Sequence, residues 1–356
     1  MNANTFHELT ISQVRPLTEQ SVCISFTIPE TLETAFKFVP GQYLTLRATI
    51  DRKDVRRSYS ICSPVHSESL EVGIKHVRDG VFSNHAMQLT ADDTLSVMPP
   101  QGRFTAELGG QHHYLLIAAG SGITPCLSII ASVLVAEPDS QVTLIYGNQS
   151  RATLMFHDEL NALKDRYTQR LQLFYVLSRE QQDIELTNGR ISGSKIKSFV
   201  ETKLISVEAI DAVYICGPAD MIESATNALT DLGMSSSNIH FELFATSKSA
   251  QKTIKPTTRP AEDTTQVSIT LDGTTREFGL DLESETVLAA AQRAGLDLPY
   301  SCEGGMCCTC RCRIVSGSAE MDVNYSLQDW EIEAGYTLAC QTRPTGKKLS
   351  LDFDDA

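Results

Sequence analysis

The chain has 356 residues, 42% hydrophobic and 21% charged, with a formal net charge of −14. That is enough for two or three ordinary globular domains. So acidic a chain, with no long basic stripe, is not a nucleic-acid binder, and without an apolar run of about 18 residues it is not expected to span a membrane. The start, MNANTFHELT, has no basic segment followed by an apolar one, so the expected location is the cytoplasm. Clustered cysteines in that reducing compartment are metal ligands or redox groups more often than disulfides.

In chain order, ELTISQV, SVCISFTI, GQYLTLRATI, SLEVGIKHV and DTLSVMPP are short, alternate in polarity and are broken by Pro, Gly and Asp. They predict an antiparallel sandwich or barrel over residues 1–108. YLLIAA from Tyr114 is instead continuously apolar, as a strand buried on both faces would be. GSGITP follows, and then the helical CLSIIASVLVAE, with Pro125 suited to its first turn. QVTLIYGN, FHDELNALKDRY, LQLFYVLS and AVYICGP continue a strand–helix alternation that predicts an α/β domain with a parallel sheet over 109–246. Residues 247–265 are polar with two prolines and read as a linker. The last segment, 266–356, opens with a hairpin turning at Asp272–Gly273, followed by a helix with Ser284 expected as N-cap and Gly295 as C-cap.

CEGGMCCTCRC places Cys302, Cys307, Cys308, Cys310 and Cys312 within eleven residues. Cys302, Cys307 and Cys310 are spaced C-x4-C-x2-C, and Cys340 follows after 29 further residues, which is the plant-type 2Fe–2S spacing. Four soft sulfurs select iron–sulfur or zinc. Zinc sites usually show paired short knuckles, and one such knuckle is present. Gly304 and Gly305 let backbone approach inorganic sulfide. Cys308 and Cys312 are expected as small buried hydrophobes. The final 91 residues carry 15 Asp/Glu against 7 Lys/Arg, a net −8, consistent with a solvated acidic surface or with a docking face for a basic partner.

On these cysteines the C-terminal segment resembles plant-type ferredoxins, which have a β-grasp fold. The preceding motifs resemble those of the ferredoxin–NADP reductase superfamily. RSYS (Arg57, Ser58, Tyr59, Ser60) is similar to its flavin motif. The resemblance implies Arg57 on a phosphate, Tyr59 packed on the isoalloxazine and Ser60 near the reacting nitrogen. GVFSN resembles the pyrophosphate segment of members that carry FAD, with Gly80 allowing close approach and Ser83 donating a hydrogen bond. GSGITP (Gly120, Gly122, Thr124) matches the glycine-rich loop. CGP (Cys216, Gly217, Pro218) matches the nicotinamide-side motif. In FELF, the resemblance implies Phe244 covering the flavin face and Glu242 assisting hydride transfer with Ser60, while Cys216 is expected beside the nicotinamide. Ser178 and Arg179 resemble a pair that holds a 2′-phosphate, with Arg151 assisting, so NADPH is expected over NADH.

The whole chain therefore resembles a reductase ordered FAD domain, NAD(P) domain, ferredoxin domain, which receives two electrons as hydride and passes them on singly. FKFVPGQYLTL, RRSYSICS, DGVFSN and NYSL are most similar to the reductase components of phenylacetyl-CoA epoxidases, soluble diiron multicomponent monooxygenases of phenylacetate breakdown. The implied partner is the oxygenase component, docking through the acidic ferredoxin domain. The alternatives are a reductase for a Rieske oxygenase or a hybrid-cluster protein, a carrier that no longer binds nucleotide, and a zinc-stapled interaction protein.

Overall fold

Period-two alternation of apolar side chains draws the first hundred residues into six antiparallel strands: β1 (His7–Thr18), β2 (Ser21–Thr27), β3 (Tyr43–Ile50), β4 (Lys53–Ser60), β5 (Leu70–Lys75) and β6 (Thr94–Val97), with the short helix α1 (Val81–Ala86) before the last. They are described, in a computed structural model, as part of residues 5–245; residues 264–282 and 284–355 are also described. The strand order is β4-β3-β6-β1-β2-β5. Just past β4, Ile61 bridges Val72 on β5, which joins the two edges of the sheet. Closure removes the exposed edges and encloses a core of Leu9, Ile11, Ile24, Leu44, Leu46, Val72 and Ile74. The expected barrel is thus observed.

The continuously apolar runs form a five-stranded parallel sheet: β7 (His113–Ala119), β8 (Gln141–Asn148), β9 (Leu171–Leu177), β10 (Ala212–Pro218) and β11 (Ile239–Ala245), connected by α2 (Ile123–Ala136), α3 (His157–Arg166), α4 (Gly193–Glu201) and α5 (Ala219–Asp231). The order is β11-β10-β7-β8-β9. From β7 the chain moves to β8 on one side and later returns through β10 on the other. Between β7 and β10 the connections diverge, and the carboxyl ends of those strands are where such sheets bind ligands. Helix α2 is buried from Ile123 to Leu134. It also meets the barrel: Ser128 Oγ donates to Ser63 O at 2.7 Å, and Ser132 Oγ accepts from Val65 N at 3.1 Å.

The chain divides into two compact units, residues 1–247 and 248–356. The second is a mixed sheet of β12 (Thr264–Leu271), β13 (Thr274–Asp281), β14 (Arg311–Met321), β15 (Tyr336–Leu338) and β16 (Thr342–Asp352), with helices α6 (Val287–Arg293) and α7 (Asp329–Glu333). Its order is β13-β12-β16-β14-β15, a β-grasp arrangement. The hairpin turns at Asp272 and Gly273, both left-handed (φ 54° and 68°), as a two-residue type I′ turn requires. The helix cap differs from expectation. Thr286, not Ser284, caps α6, its hydroxyl accepting from Ala289 N; Ser284 Oγ donates to Asp281 Oδ2 at 2.7 Å instead. Two hydroxyl residues lie two apart, and the one that already has a carboxylate partner is lost as a cap. Gly295 takes the left-handed position just after the C-cap Ala294. Of the expected linker, Thr264 and Thr265 already belong to β12, and 247–263 lie outside the described residues.

Candidate flavin, nucleotide and cluster sites

The glycine-rich loop and the CGP turn sit at the carboxyl ends of the adjacent strands β7 and β10. They touch: a Cβ on Gly122 would lie 2.2 Å from Cys216 O, so only hydrogen fits there. Thr124 Oγ1 donates to Ser121 O at 3.0 Å, and the fully buried Tyr146 donates to Gly120 O at 3.0 Å. These bonds hold the loop where α2 begins, whose first-turn N–H groups have no partners within the helix. Cys216 is fully buried, and burial together with Glu242 pushes its thiol well up, so it is an uncharged neighbour.

The strand register brings the next pair together. Cys216 on β10 lies opposite Glu242 on β11, and Ser60, at the end of β4, donates to Glu242 Oε2 at 3.3 Å across 182 residues of sequence. Desolvation pushes the Glu242 carboxyl up to about 7, and the hydrogen bond from Ser60 partly offsets it. A hydroxyl and a carboxyl that changes protonation near neutrality can hold or move one proton between them. On β4, Arg57 is exposed and donates to the Arg56 carbonyl at 2.6 Å. Ser58 lies 3.5 Å from Thr45 Oγ1. The Tyr59 ring packs 5.6 Å from Phe82, and its burial pushes the phenol up. Gly80 caps α1. Ser83 is buried, and its hydroxyl is taken up by its own turn: it accepts from Val77 N at 3.1 Å and donates to Gly80 O at 3.2 Å. It shapes the Gly80 turn.

In front of both loops lies a cavity of about 380 Å³. Gly120, Gly217, Pro218, Ser178, Arg179 and Phe244 line it, so residues from four separate motifs share one wall. Arg151 does not: it is exposed, and its backbone N–H is bonded to Glu180 Oε2 at 2.8 Å. Two cationic lining residues were not singled out from sequence, Arg190 and Lys75. Arg190 arrives because Gly189 N donates to Leu177 O at 2.8 Å, folding the loop back onto the end of β9; the Asn188–Gly189 turn was the available signal. Lys75 Nζ stands over Gly120, where a Cβ would lie 3.6 Å from it, and burial lowers its pKa.

In the second unit the four expected thiols form two pairs. Cys302 neighbours Cys307, and Cys310 neighbours Cys340; in each pair one thiol, Cys302 or Cys340, is lowered and its partner raised. The pairing, together with the surrounding backbone N–H groups, lowers Cys302 and Cys340; Gly304 N donates to Cys302 Sγ at 3.4 Å. Thr309 Oγ1 donates to Cys307 Sγ at 3.2 Å and Gln341 Nε2 to Cys340 Sγ at 3.6 Å. Gly305 has φ 73°, and a Cβ there would meet Val323 O at 3.0 Å. One tetrahedral zinc would hold every pair of sulfurs about 3.8 Å apart. Among the described residues no three of these sulfurs lie within 4.8 Å of one another. Four soft thiols gathered in one loop region would hold a 2Fe–2S cluster, which would accept and pass on single electrons. Cys312 is buried on β14 in the core, and Cys308 sits in the loop with φ 56°.

Three family models match the chain: the oxidoreductase FAD-binding domain over residues 8–106, the oxidoreductase NAD-binding domain over 116–227, and the 2Fe–2S iron–sulfur cluster binding domain over 269–345. The chain is 43% identical, over 98% of both chains, to a subunit of the 1,2-phenylacetyl-CoA epoxidase of Escherichia coli (strain K12). The chain belongs to the ferredoxin–NADP reductase superfamily, in its group with a C-terminal 2Fe–2S domain. The reductase is also 33% identical, over 97% of its length and 96% of the relative's, to the ferredoxin reductase component of 3-ketosteroid-9-alpha-monooxygenase from Rhodococcus rhodochrous. Its fold matches phthalate dioxygenase reductase over 98% of both chains, at 22% identity and a TM-score of 0.60. It also matches an intact type IV self-sufficient cytochrome P450 monooxygenase over 97% of this chain and 41% of that one, at 20% identity and a TM-score of 0.67. The reductase carries electrons from NAD(P)H through FAD and a 2Fe–2S cluster to an oxygenase. No described helix is long and apolar enough to cross a membrane.

Proposed function

We propose that this chain is the NADPH-oxidising reductase of a phenylacetyl-CoA epoxidase, delivering single electrons to that oxygenase through an acidic ferredoxin domain. The observation that carries the partner assignment is 43% identity, over 98% of the chain, to one of the subunits of such an enzyme. Residues 1–108 hold FAD, 109–246 bind the nucleotide, and 266–356 hold the cluster. FAD supplies the conversion of one hydride into two single electrons; the residues supply position and electrostatics. Arg57 holds a flavin phosphate, Tyr59 and Phe244 bracket the ring, and the Gly80 turn admits the pyrophosphate. Ser60 and Glu242 hold a proton beside the reacting face, with the neutral Cys216 against the nicotinamide. Gly120, Gly122, Thr124, Gly217 and Pro218 shape the dinucleotide cleft.

The preference for NADPH rests on two guanidiniums. Ser178, Arg179 and Arg190 line one cavity, and a guanidinium fork matches a phosphate; Arg151, outside the lining, has a lesser part. The ten cysteines without disulfides among the described residues fit a reducing cytoplasm. The assignment is tested by reconstitution. With the epoxidase oxygenase subunits, the reductase and NADPH, turnover of phenylacetyl-CoA is expected at rates well above those with a Rieske oxygenase as acceptor. Equal or greater electron delivery to the oxygenase of the 3-ketosteroid-9-alpha-monooxygenase, whose ferredoxin reductase component is 33% identical, would favour a partner of that kind instead.

A further inference from the structure

A second group of soft donors lies in the first unit, on the barrel face that joins the nucleotide-domain core. Cys23 on β2 and Cys62, two residues past β4, are 1% and 2% exposed, with their sulfurs 3.9 Å apart. Cys23 Sγ is 3.8 Å from Glu71 Oε2 on β5, and the three donor atoms lie within 4.8 Å of one another. Ser25 Oγ donates to the other carboxylate oxygen, Glu71 Oε1, at 2.7 Å.

We propose that Cys23, Cys62 and Glu71 form a site for a zinc-like divalent ion, separate from the 2Fe–2S cluster. An ion about 2.3 Å from thiolate and about 2.0 Å from carboxylate holds two sulfurs about 3.8 Å apart, and sulfur and oxygen about 3.5 Å apart. The observed 3.9 and 3.8 Å are close to these values. Glu71 is half-buried, so its open side leaves a fourth position to water. The Ser25 hydroxyl orients the carboxylate, as outer-shell partners of metal ligands do. Buried thiols also pack as plain hydrophobes, but packing does not call for a carboxylate beside them.

A disulfide suits the place less well. Cys23 pairs with Gly73 on one side of β5, while Cys62 N bonds Glu71 O on the other. Two strand spacings are about 9–10 Å, and a disulfide wants Cα atoms within about 7 Å. An ion spans the gap without drawing the strands together. On binding, the ion replaces two thiol protons, which leave to solvent, and no electron moves. The bound ion ties β2 to the segment just after RSYS across β5, a staple for the closed edge of the barrel.

The test uses the full-length holoprotein, dialysed against buffered Zn²⁺, with zinc, iron and flavin counted on one sample. The expected result is one zinc per chain in addition to two irons, with two zinc–sulfur distances of about 2.3 Å by X-ray absorption. Cys62→Ala is expected to weaken zinc binding by more than about 100-fold, since loss of even an outer-shell partner costs about 10–100-fold, with iron and flavin unchanged. Glu71→Gln moves the same way and decides the matter if the cysteine variant does not fold. Zinc is expected to raise the thermal midpoint of the wild type and not of the variants. Zinc that appears only as iron is lost, equal affinity in Glu71→Gln, or a Cys23–Cys62 disulfide in the purified protein would each overturn the proposal.

Discussion

The Ser60–Glu242 hydrogen bond at 3.3 Å spans 182 residues and joins the barrel to the last strand of the parallel sheet. Because the folded carboxyl titrates at about 7, above its ordinary value near 4.3, the folded state favours the protonated form. That stabilisation is complete below about pH 4.3 and is lost as pH rises through about 7. Glu242→Gln is therefore expected to gain on the wild type as pH rises from 5 to 8, by up to about 3 kcal/mol, read by thermal unfolding. The same variant is expected to slow flavin reduction by NADPH and to flatten its pH dependence near 7, read by anaerobic stopped flow. A wild-type profile without an inflection between pH 6 and 8 would contradict this role. Among the thiols, Cys340→Ser is expected to lose or destabilise the cluster while the flavin stays bound, because Cys340 lies in a separate compact unit. Iron, sulfide and flavin counts on one sample check it; loss of the cluster in Cys308→Ser but not in Cys340→Ser would show the ligand set to be wrong.

At the level of elements, the nucleotide cleft depends on the β7–α2 loop lying against the end of β10. Gly122→Ala places a methyl 2.2 Å from Cys216 O. The loop or the strand must shift, at a cost of about 1–3 kcal/mol. The expected outcome is a lower thermal midpoint and weaker nucleotide binding, with a normal iron–sulfur spectrum. On the β9 side, Arg179→Ala and Arg190→Ala are each expected to raise the KM for NADPH by about 10–100-fold, as loss of a charge-assisted bond does, and to leave that for NADH nearly unchanged. Much of this was readable from sequence, because each motif sits where polarity patterns change: RSYS at the end of an alternating run, GSGITP after a continuously apolar one, CGP at the end of another. The C-x4-C-x2-C spacing and the later Cys340 pointed to four thiols that lie as neighbours in two pairs. What sequence left out is what depends on the chain folding back. Arg190 reaches the cavity through a backbone bond from Gly189 to Leu177, and Lys75 through the packing of β5 on the parallel-sheet domain. The cap at Thr286 was missed for a local reason, the prior claim of Asp281 on Ser284.

Over the whole molecule the three groups of motifs describe one electron path, from hydride donor through flavin and cluster to an oxygenase. Under the proposed docking through the ferredoxin domain, the net −8 of the last 91 residues predicts an electrostatic delivery step. Its rate is expected to fall with added salt, because a charged encounter is screened over about 10 Å at 0.1 M ionic strength, whereas reduction of the flavin by bound nucleotide changes little. Stopped flow with the oxygenase at rising ionic strength measures both; a salt-insensitive delivery step would argue against docking through the acidic domain. The path itself is tested most directly by an anaerobic visible-spectrum titration with NADPH and then NADH, with flavin and iron counted on the same protein. The predicted result is one FAD and two irons per chain, with NADPH bleaching both the flavin and the iron–sulfur bands at lower concentration than NADH. Iron–sulfur bands that neither nucleotide bleaches would contradict the path, and would make the chain a carrier reduced by something else.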